Sequence, residues 1–105
     1  MIYKINLSKQ ANSDLRSIYE YIAFSLLSPD NAQKQLKRLE TGILNLESLP
    51  KRFKVYPHEP WRSRNIRIMP IDNFLIFYIS DDSTQTVSIL RVIYSGQNIP
   101  DNLNI

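Results

Sequence analysis

The 105-residue sequence contains no cysteine, one histidine and two glycines. The absence of cysteine excludes a disulfide framework, a thiolate metal site and a cysteine nucleophile. Because His58 is the only histidine, a histidine cluster is excluded as well, and we expect neither a metal nor a cofactor. With only Gly42 and Gly96, the chain has no glycine-rich phosphate loop.

Long apolar runs are also absent. No run approaches the roughly 20 residues of a transmembrane helix, and the first ten residues lack the apolar stretch of a signal peptide. We therefore expect a cytoplasmic protein without a membrane partner. Hydrophobic residues make up 43% of the chain and charged residues 22%, which is typical of a soluble domain with one core. The length predicts a single domain, residues 1–105.

Positive charge is concentrated in residues 51–67, which we call the basic segment. The formal net charge of the whole chain is +3. The basic segment has Glu59 as its only acidic residue, and its cations are Lys51, Arg52, Lys54, Arg62, Arg64 and Arg67. Concentrated positive charge attracts nucleic acid or an acidic peptide, although a solvated loop has the same composition. The first five cations are therefore candidate nucleic-acid-binding or partner-binding residues.

The apolar periodicity predicts an α+β fold. Residues 2–7 alternate as a strand, and two amphipathic helices follow, one reaching Leu27 and one ending at Pro50. The first helix has an apolar stripe that ends with Ile22 and Leu26. Three further strands are predicted at residues 64–69, 74–79 and 86–94. We expect a helical hairpin on one face of an antiparallel sheet, with the other face available, although the continuous apolar runs of the last two strands favour coverage of much of both faces.

Arg67, Arg91 and Tyr94 are the candidate catalytic residues. Arginines bind phosphate and stabilise the charge that develops on a phosphorane-like transition state, and a tyrosine transfers a proton or stacks on a base. In a regular strand Arg91 and Tyr94 point to opposite faces, so a joint role requires a β-bulge or the strand end. An internal ion pair of Arg91 is the alternative. Asp14 and Glu20, six residues apart, are expected to be solvated.

Three other side chains of the basic segment have two interpretations each. His58, which lies between two prolines, is either a general base or an exposed loop residue, and the loop is favoured. Phe53 and Trp61 either stack on bases or anchor a long loop against the core. Anchoring is the more common use of such aromatic side chains.

Four segments of the chain resemble the RelE/ParE superfamily of toxins from bacterial type II toxin-antitoxin modules. They are DLRSIYEYI, AQKQLKRLETGILNLESLP, RNIRIMPIDNFLIFYI and SILRVIYSGQNI, and the resemblance spans residues 3–99. It implies a small cytoplasmic toxin that inhibits bacterial growth. It also implies a cognate antitoxin whose C-terminal segment wraps around the toxin and neutralises it.

The superfamily has one branch of ribosome-dependent endoribonucleases that cleave mRNA. Its basic side chains and C-terminal tyrosine correspond to Arg67, Arg91 and Tyr94 by resemblance. This chain departs from the branch after Arg91. Ile93 stands where some nucleases have a histidine, and residues 97–98 are Gln and Asn where many relatives have basic residues.

The other branch inhibits DNA gyrase without being an enzyme. It has a long helical hairpin, like residues 9–49 here. Whether the target is the ribosome with its mRNA or DNA gyrase, and hence whether the chain is an enzyme, stays open at this point. A third interpretation is a non-toxic interaction module that binds acidic peptides through its basic face.

The resemblance and the basic segment together predict toxicity. Expression of this chain alone should slow bacterial growth, and co-expression of the small protein from the adjacent open reading frame should restore it. Growth curves with immunoblots of the soluble fraction test this prediction. Normal growth at a verified soluble level would count against a toxin.

Overall fold

A four-stranded sheet with a helical hairpin on one face makes up the fold. The computed structural model describes residues 2–97, 99 and 103. In chain order the main elements are β1 Lys4–Leu7, α1 Lys9–Glu20, α2 Pro29–Leu44, β2 Arg67–Ile71, β3 Phe74–Asp81 and β4 Thr86–Tyr94. The predicted α+β class is confirmed.

Local sequence signals set the ends of the two helices. Ser8 caps α1 by accepting a hydrogen bond from the Ala11 N–H at 3.0 Å. A π-helical turn, Tyr21–Ser25, continues α1 toward the connection to α2. Pro29 occupies the first turn of α2, where its missing N–H costs nothing. In the described part of the chain, no helix is long and apolar enough to cross a membrane.

The sheet has the order β1-β4-β3-β2. Strands β2, β3 and β4 are antiparallel, as predicted from the short turns between them. In contrast, β1 pairs in parallel with the first half of β4. No short turn connects β1 to β4, so turn geometry does not determine its direction. The sheet is therefore mixed.

Strand β2 starts three residues later than predicted. Residues 61–65 form turns that end at Asn65, whose φ of 58° is left-handed, so the strand begins only after this bend. Before this bend, Val55 forms an isolated antiparallel bridge to Arg67. Tyr56 extends this contact by donating its N–H to the Ile66 carbonyl at 2.8 Å.

Both faces of the sheet are covered by apolar layers. The helix-side layer contains Leu39, Ile43, Leu46, Ile76, Tyr78, Val87 and Ile89. The opposite layer contains Tyr56, Ile66, Phe77, Ile93 and Leu103. The expectation that the second face is available was therefore wrong, because the basic segment and Leu103 pack on it. Strands with continuous apolar runs require cover on both faces.

Tyr78 connects strand β3 to Pro50, the residue just before the basic segment. Its side chain is fully buried, and its hydroxyl donates to the Pro50 carbonyl at 2.6 Å. Burial raises the pKa of Tyr78 to about 12, which keeps the hydroxyl protonated as a donor. The hydrogen bond thus fixes where the chain leaves α2.

The Tyr78→Phe variant should lower the free energy of unfolding by about 1–3 kcal/mol, because the Pro50 carbonyl loses its buried donor. Urea denaturation measures the change. Tyr19→Phe is the matched control, since the half-buried Tyr19 hydroxyl has no hydrogen-bond partner in the described residues. Equal changes in the two variants would contradict this role of the hydrogen bond.

Candidate functional site

A cleft of about 750 Å³ separates the helical hairpin from the end of β4. One wall comes from α1 and the π-helical turn, and the other from the β2–β3 turn and the last residues of β4. Apolar side chains and the carboxamides of Gln35, Asn73 and Gln97 line it. A cleft of this size, with Ser17, Asp14 and Arg91 also in its lining, suits a peptide segment that has both apolar and polar side chains.

An ion pair between Asp14 and Arg91 forms part of the cleft wall. The Arg91 Nε donates to Asp14 Oδ2 at 2.7 Å, and Nη2 donates to Oδ1 at 3.0 Å. The backbone N–H of Val92 also donates to Asp14 Oδ2, at 2.9 Å. Hydrogen bonding to Asp14 raises the pKa of Arg91, while burial opposes this. The expectation that Asp14 is solvated was therefore wrong.

Arg91 and Tyr94 line the same cleft, although β4 is regular between them. Phe77 pairs with Arg91, but the next residue, Tyr78, pairs with Ile89, so β4 contains one extra residue at this point. This bulge precedes Arg91, so residues 91–94 alternate regularly and the bulge does not bring the two side chains together. Tyr94 is the last residue of β4, and the strand end, the other condition that the sequence set, accounts for their joint location.

The Tyr94 ring lies at the end of β4 and is half exposed. It packs edge-on against Phe74 with ring centroids 5.9 Å apart. Gly96 leaves room for this ring, because a Cβ at that position would lie 2.4 Å from Tyr94 Cε2. The ring orientation therefore depends on both Phe74 and the glycine.

Arg67 lies outside this cleft. Its Nη1 donates to the backbone carbonyls of Phe53 at 2.7 Å and Lys51 at 3.2 Å. Strand spacing and register place the Cα atoms of Arg67 and Tyr94 about 16 Å apart, with β3 between them. The structure brings together two of the three candidate catalytic residues and leaves out the third.

The cations of the basic segment fall into two groups. Lys51 pairs with Asp82, and Arg52 donates to the carbonyls of Asn45 and Ser48 at the C-terminal end of α2. Lys51 and Arg52 thus hold the start of the segment to the rest of the protein, and Arg67 connects its two ends. The second group is exposed and consists of Lys54, Arg62 and Arg64.

Aromatic packing anchors the loop that carries the exposed cations. Trp61 is half-buried, and its ring centroid lies 5.9 Å from that of the buried Tyr56. His58 is exposed and contacts Tyr56 edge-on at 5.0 Å. Glu59 accepts hydrogen bonds from the N–H and hydroxyl of Ser63, which lower the pKa of Glu59. Trp61 thus has the anchoring role that was favoured from the sequence.

The comparison with family models decides the identity. The model described as "ParE toxin of type II toxin-antitoxin system, parDE" matches residues 5–99. The chain belongs to the ParE toxin family. This confirms the predicted RelE/ParE superfamily and identifies the chain as the toxin component of a type II toxin-antitoxin module. No curated protein sequence matches the chain.

Solved toxin structures have the same fold as this ParE-family chain. The chromosomal ParDE system from P. aeruginosa aligns with a TM-score of 0.72 and 19% identity, over 89% of this chain and 96% of that one. The RelBE2 toxin-antitoxin complex from Mycobacterium tuberculosis has a TM-score of 0.63 and 21% identity, over 90% and 99%. A double arginine-to-alanine mutant of E. coli RelE in the free state has a TM-score of 0.64 and 10% identity, over 97% and 93%.

The Asp14–Arg91 pair should contribute to stability as a coupled unit. Because both side chains are more than four-fifths buried, Asp14→Ala and Arg91→Ala should each lower the free energy of unfolding by about 2–4 kcal/mol. The double variant should fall short of the sum by about 1–3 kcal/mol. Urea denaturation of the three variants measures this coupling.

Arg16→Ala is the matched control for this double-mutant cycle, because Arg16 is exposed on the same helix. Its effect should stay within about 0.5 kcal/mol. Additive effects of the Asp14 and Arg91 variants would show that the two side chains do not act together.

Proposed function

We propose that this ParE-family toxin inhibits DNA gyrase and does not cleave mRNA. The proposal rests on the observation that the guanidinium groups of both candidate arginines already bond to other groups of the protein. The Arg67 guanidinium bonds to backbone carbonyls, and the Arg91 guanidinium bonds to Asp14. An RNA-cleaving site requires such cations to converge on one phosphate.

The electrostatics of the cleft also disfavour RNA. A phosphate that approaches Arg91 meets the carboxylate of Asp14, which already neutralises the guanidinium and repels a second anion. Among the described residues that line the cleft, none is a lysine or a histidine. The exposed cations Lys54, Arg62 and Arg64 are outside it. The cleft therefore lacks the positive potential that holds a polyanion.

In the described lining of the cleft, the titratable side chains besides Tyr94 are Tyr21 and the Asp14–Arg91 pair, whose members bond to each other. General acid–base catalysis by a tyrosine requires a second titratable group or a water close to the reacting hydroxyl. The residue before Tyr94 is Ile93, and the carboxamide of Gln97 is the polar side chain that follows it in the cleft lining. Neither side chain titrates, which supports a role for Tyr94 in packing against Phe74.

The cognate antitoxin is the second partner in this proposal. The cleft offers both apolar and polar groups between two walls, and we infer that an amphipathic segment of the antitoxin occupies it. The exposed cations Lys54, Arg62 and Arg64 then favour acidic residues in the part of the antitoxin that reaches the basic segment. An antitoxin partner is supported by the RelBE2 relative, which is a toxin-antitoxin complex.

Tyr94→Phe separates the two mechanisms. The variant keeps the ring against Phe74 and removes only the hydroxyl, so growth inhibition should remain within about threefold of the wild type if the toxin acts on gyrase. In a nuclease that uses this hydroxyl, loss of such a group commonly costs on the order of a hundredfold or more. Arg67→Ala tests the second candidate in the same way, with thermal melting as a check of folding.

Two biochemical assays accompany the growth measurement. Supercoiling by purified gyrase should fall when wild-type toxin is added, and primer extension on translated messages should show no cut sites. Cut sites within codons would contradict the gyrase proposal. Intact messages together with unaffected supercoiling would show that the target is a third component.

A further inference from the structure

The backbone groups on the β1 side of β4 form a regular series up to the bulge. The carbonyls of Gln85 and Ile89 accept hydrogen bonds from the N–H groups of Lys4 and Ser8, at 2.8 and 3.0 Å. The odd-numbered residues of this stretch therefore face β1. Because the bulge adds one residue to β4, the order reverses after it, and residues 90, 92 and 94 face the β1 side.

Two polar side chains occupy the first position after the bulge. The Ser8 hydroxyl donates to the Leu90 carbonyl, and Asp14 Oδ2 accepts from the Val92 N–H, both at 2.9 Å. In a parallel pair, one residue bonds through its N–H and its carbonyl to the two residues that flank the one opposite it. A strand residue opposite Arg91 would make these same two bonds. The two side chains thus replace one residue of a strand that continues the line of β1.

The next position along this edge, opposite Ile93, is empty in the described part of the chain. The Ser95 N–H donates to the Asn73 carbonyl at 2.8 Å, so Ile93 and Ser95 face β3 while Val92 and Tyr94 face away from it. Among the described residues, the Val92 carbonyl and the Tyr94 N–H have no hydrogen-bond partner. Both residues line the cleft, so these groups need a partner once the cleft is filled.

We propose that an extended segment of the antitoxin pairs in parallel with the end of β4. One residue of the segment, which we call the paired residue, donates its N–H to the Val92 carbonyl and accepts a hydrogen bond from the Tyr94 N–H. This inference rests on the proposed binding of the antitoxin in the cleft. In an antiparallel pair the two groups would bond to two different residues, each of which also needs a group that Asp14 or Gln97 already occupies.

The cleft admits a single extended segment at this position. Neighbouring strands of a sheet lie about 4.8 Å apart, and α1 and the π-helical turn form the opposite wall. A strand that already belongs to a sheet would bring its neighbour into the space of this wall. This excludes the sheet edge of a second copy, whose four strands are all in one sheet, and that of a folded target. The cognate antitoxin of a ParE-family toxin is the partner that supplies a separate segment.

The register also fixes which side chains of the segment enter the cleft. Residues opposite each other in neighbouring strands share a face, so the side chain of the paired residue lies on the side of Ile93, away from the helices. The residues before and after it point to the helix side, where Ile18, Ile22 and Val92 line the cleft. We expect apolar side chains at these two flanking positions.

Amide hydrogen exchange tests the pairing directly. The isotope-labelled toxin is measured by NMR alone and in complex with the full protein from the adjacent open reading frame. The Tyr94 N–H should exchange at least about tenfold more slowly in the complex, because it gains a hydrogen bond. The Ile5 N–H is the matched control, since it faces away from β4 on the far edge of β1, and its exchange should not change.

Tyr94→Pro and Tyr94→Ala separate the backbone N–H from the ring. Both variants lose the ring, but only proline also lacks the N–H. Proline is tolerated where an N–H faces an outer edge, as at Pro70 in β2, two residues after Ile68 donates outward to the Lys54 carbonyl. The affinity for the antitoxin, measured by calorimetry, should be at least about fivefold weaker for Tyr94→Pro than for Tyr94→Ala.

Melting temperatures of the two variants should agree within about 5 °C. If Tyr94→Pro melts lower, the exchange measurement on the wild type decides alone. Unchanged exchange of the Tyr94 N–H, in a complex that shifts the signals of Ile18 and Ile22, would overturn the strand pairing and leave the antitoxin in the cleft. Equal affinities of two well-folded variants would overturn it as well.

A complex that leaves the signals of Ile18 and Ile22 unchanged would show that the antitoxin binds elsewhere, and both inferences about the cleft would fail. Supercoiling by purified gyrase is measured with toxin alone. Its outcome decides the gyrase proposal independently of the exchange experiment.

Discussion

The contact of α1 with the open edge of β4 determines where the functional surfaces lie. Strand β1 pairs with residues 86–89, so among residues 2–97 the second half of β4 has no neighbouring strand on that side. Side chains of α1 and of its N-cap residue, Ser8, bond to the backbone N–H and carbonyl groups of this edge instead. The Ser8 hydroxyl donates to the Leu90 carbonyl at 2.9 Å, and Asp14 accepts from the Val92 N–H. These bonds fix α1 above the cleft.

The Asp14 carboxylate gives Arg91 a partner within the protein. The sequence around Arg91 fits a nuclease pattern, but this partner favours a structural role. An arginine within an apolar strand needs either an anion from outside or a carboxylate of its own chain. Asp14 provides the latter, and both side chains are more than four-fifths buried. An arginine at this position can therefore bind an external anion or anchor α1, depending on whether the first helix supplies a carboxylate.

Local periodicity was sufficient to predict the elements of the fold, but not the irregularities that shape the site. Strand β4 was predicted at its observed bounds, because its β-branched residues have one favoured structure. The bulge beside Phe77, the π-helical turn and the cover of the second face depend on contacts between distant residues. Asp14 and Arg91 are 77 positions apart, so no spacing rule connects them. The apolar setting of Arg91 was the available signal that a carboxylate was needed.

The two helices are held to the sheet in different ways, and this difference makes the cleft a preformed site. On α2, Arg38 and Gln35 donate hydrogen bonds to Asp72 of the β2–β3 turn, and these bonds lower the pKa of Asp72 to about 2. Because this ion pair is exposed, it adds little to the stability of the fold. Apolar packing holds α2 instead, and the helix approaches the sheet closely because Gly42 has no Cβ to clash with Ile71. On α1, which forms one wall of the cleft, the buried Asp14–Arg91 pair fixes the helix against β4. A partner that enters the cleft therefore meets two walls already in place, so little of its binding energy is lost in ordering the toxin.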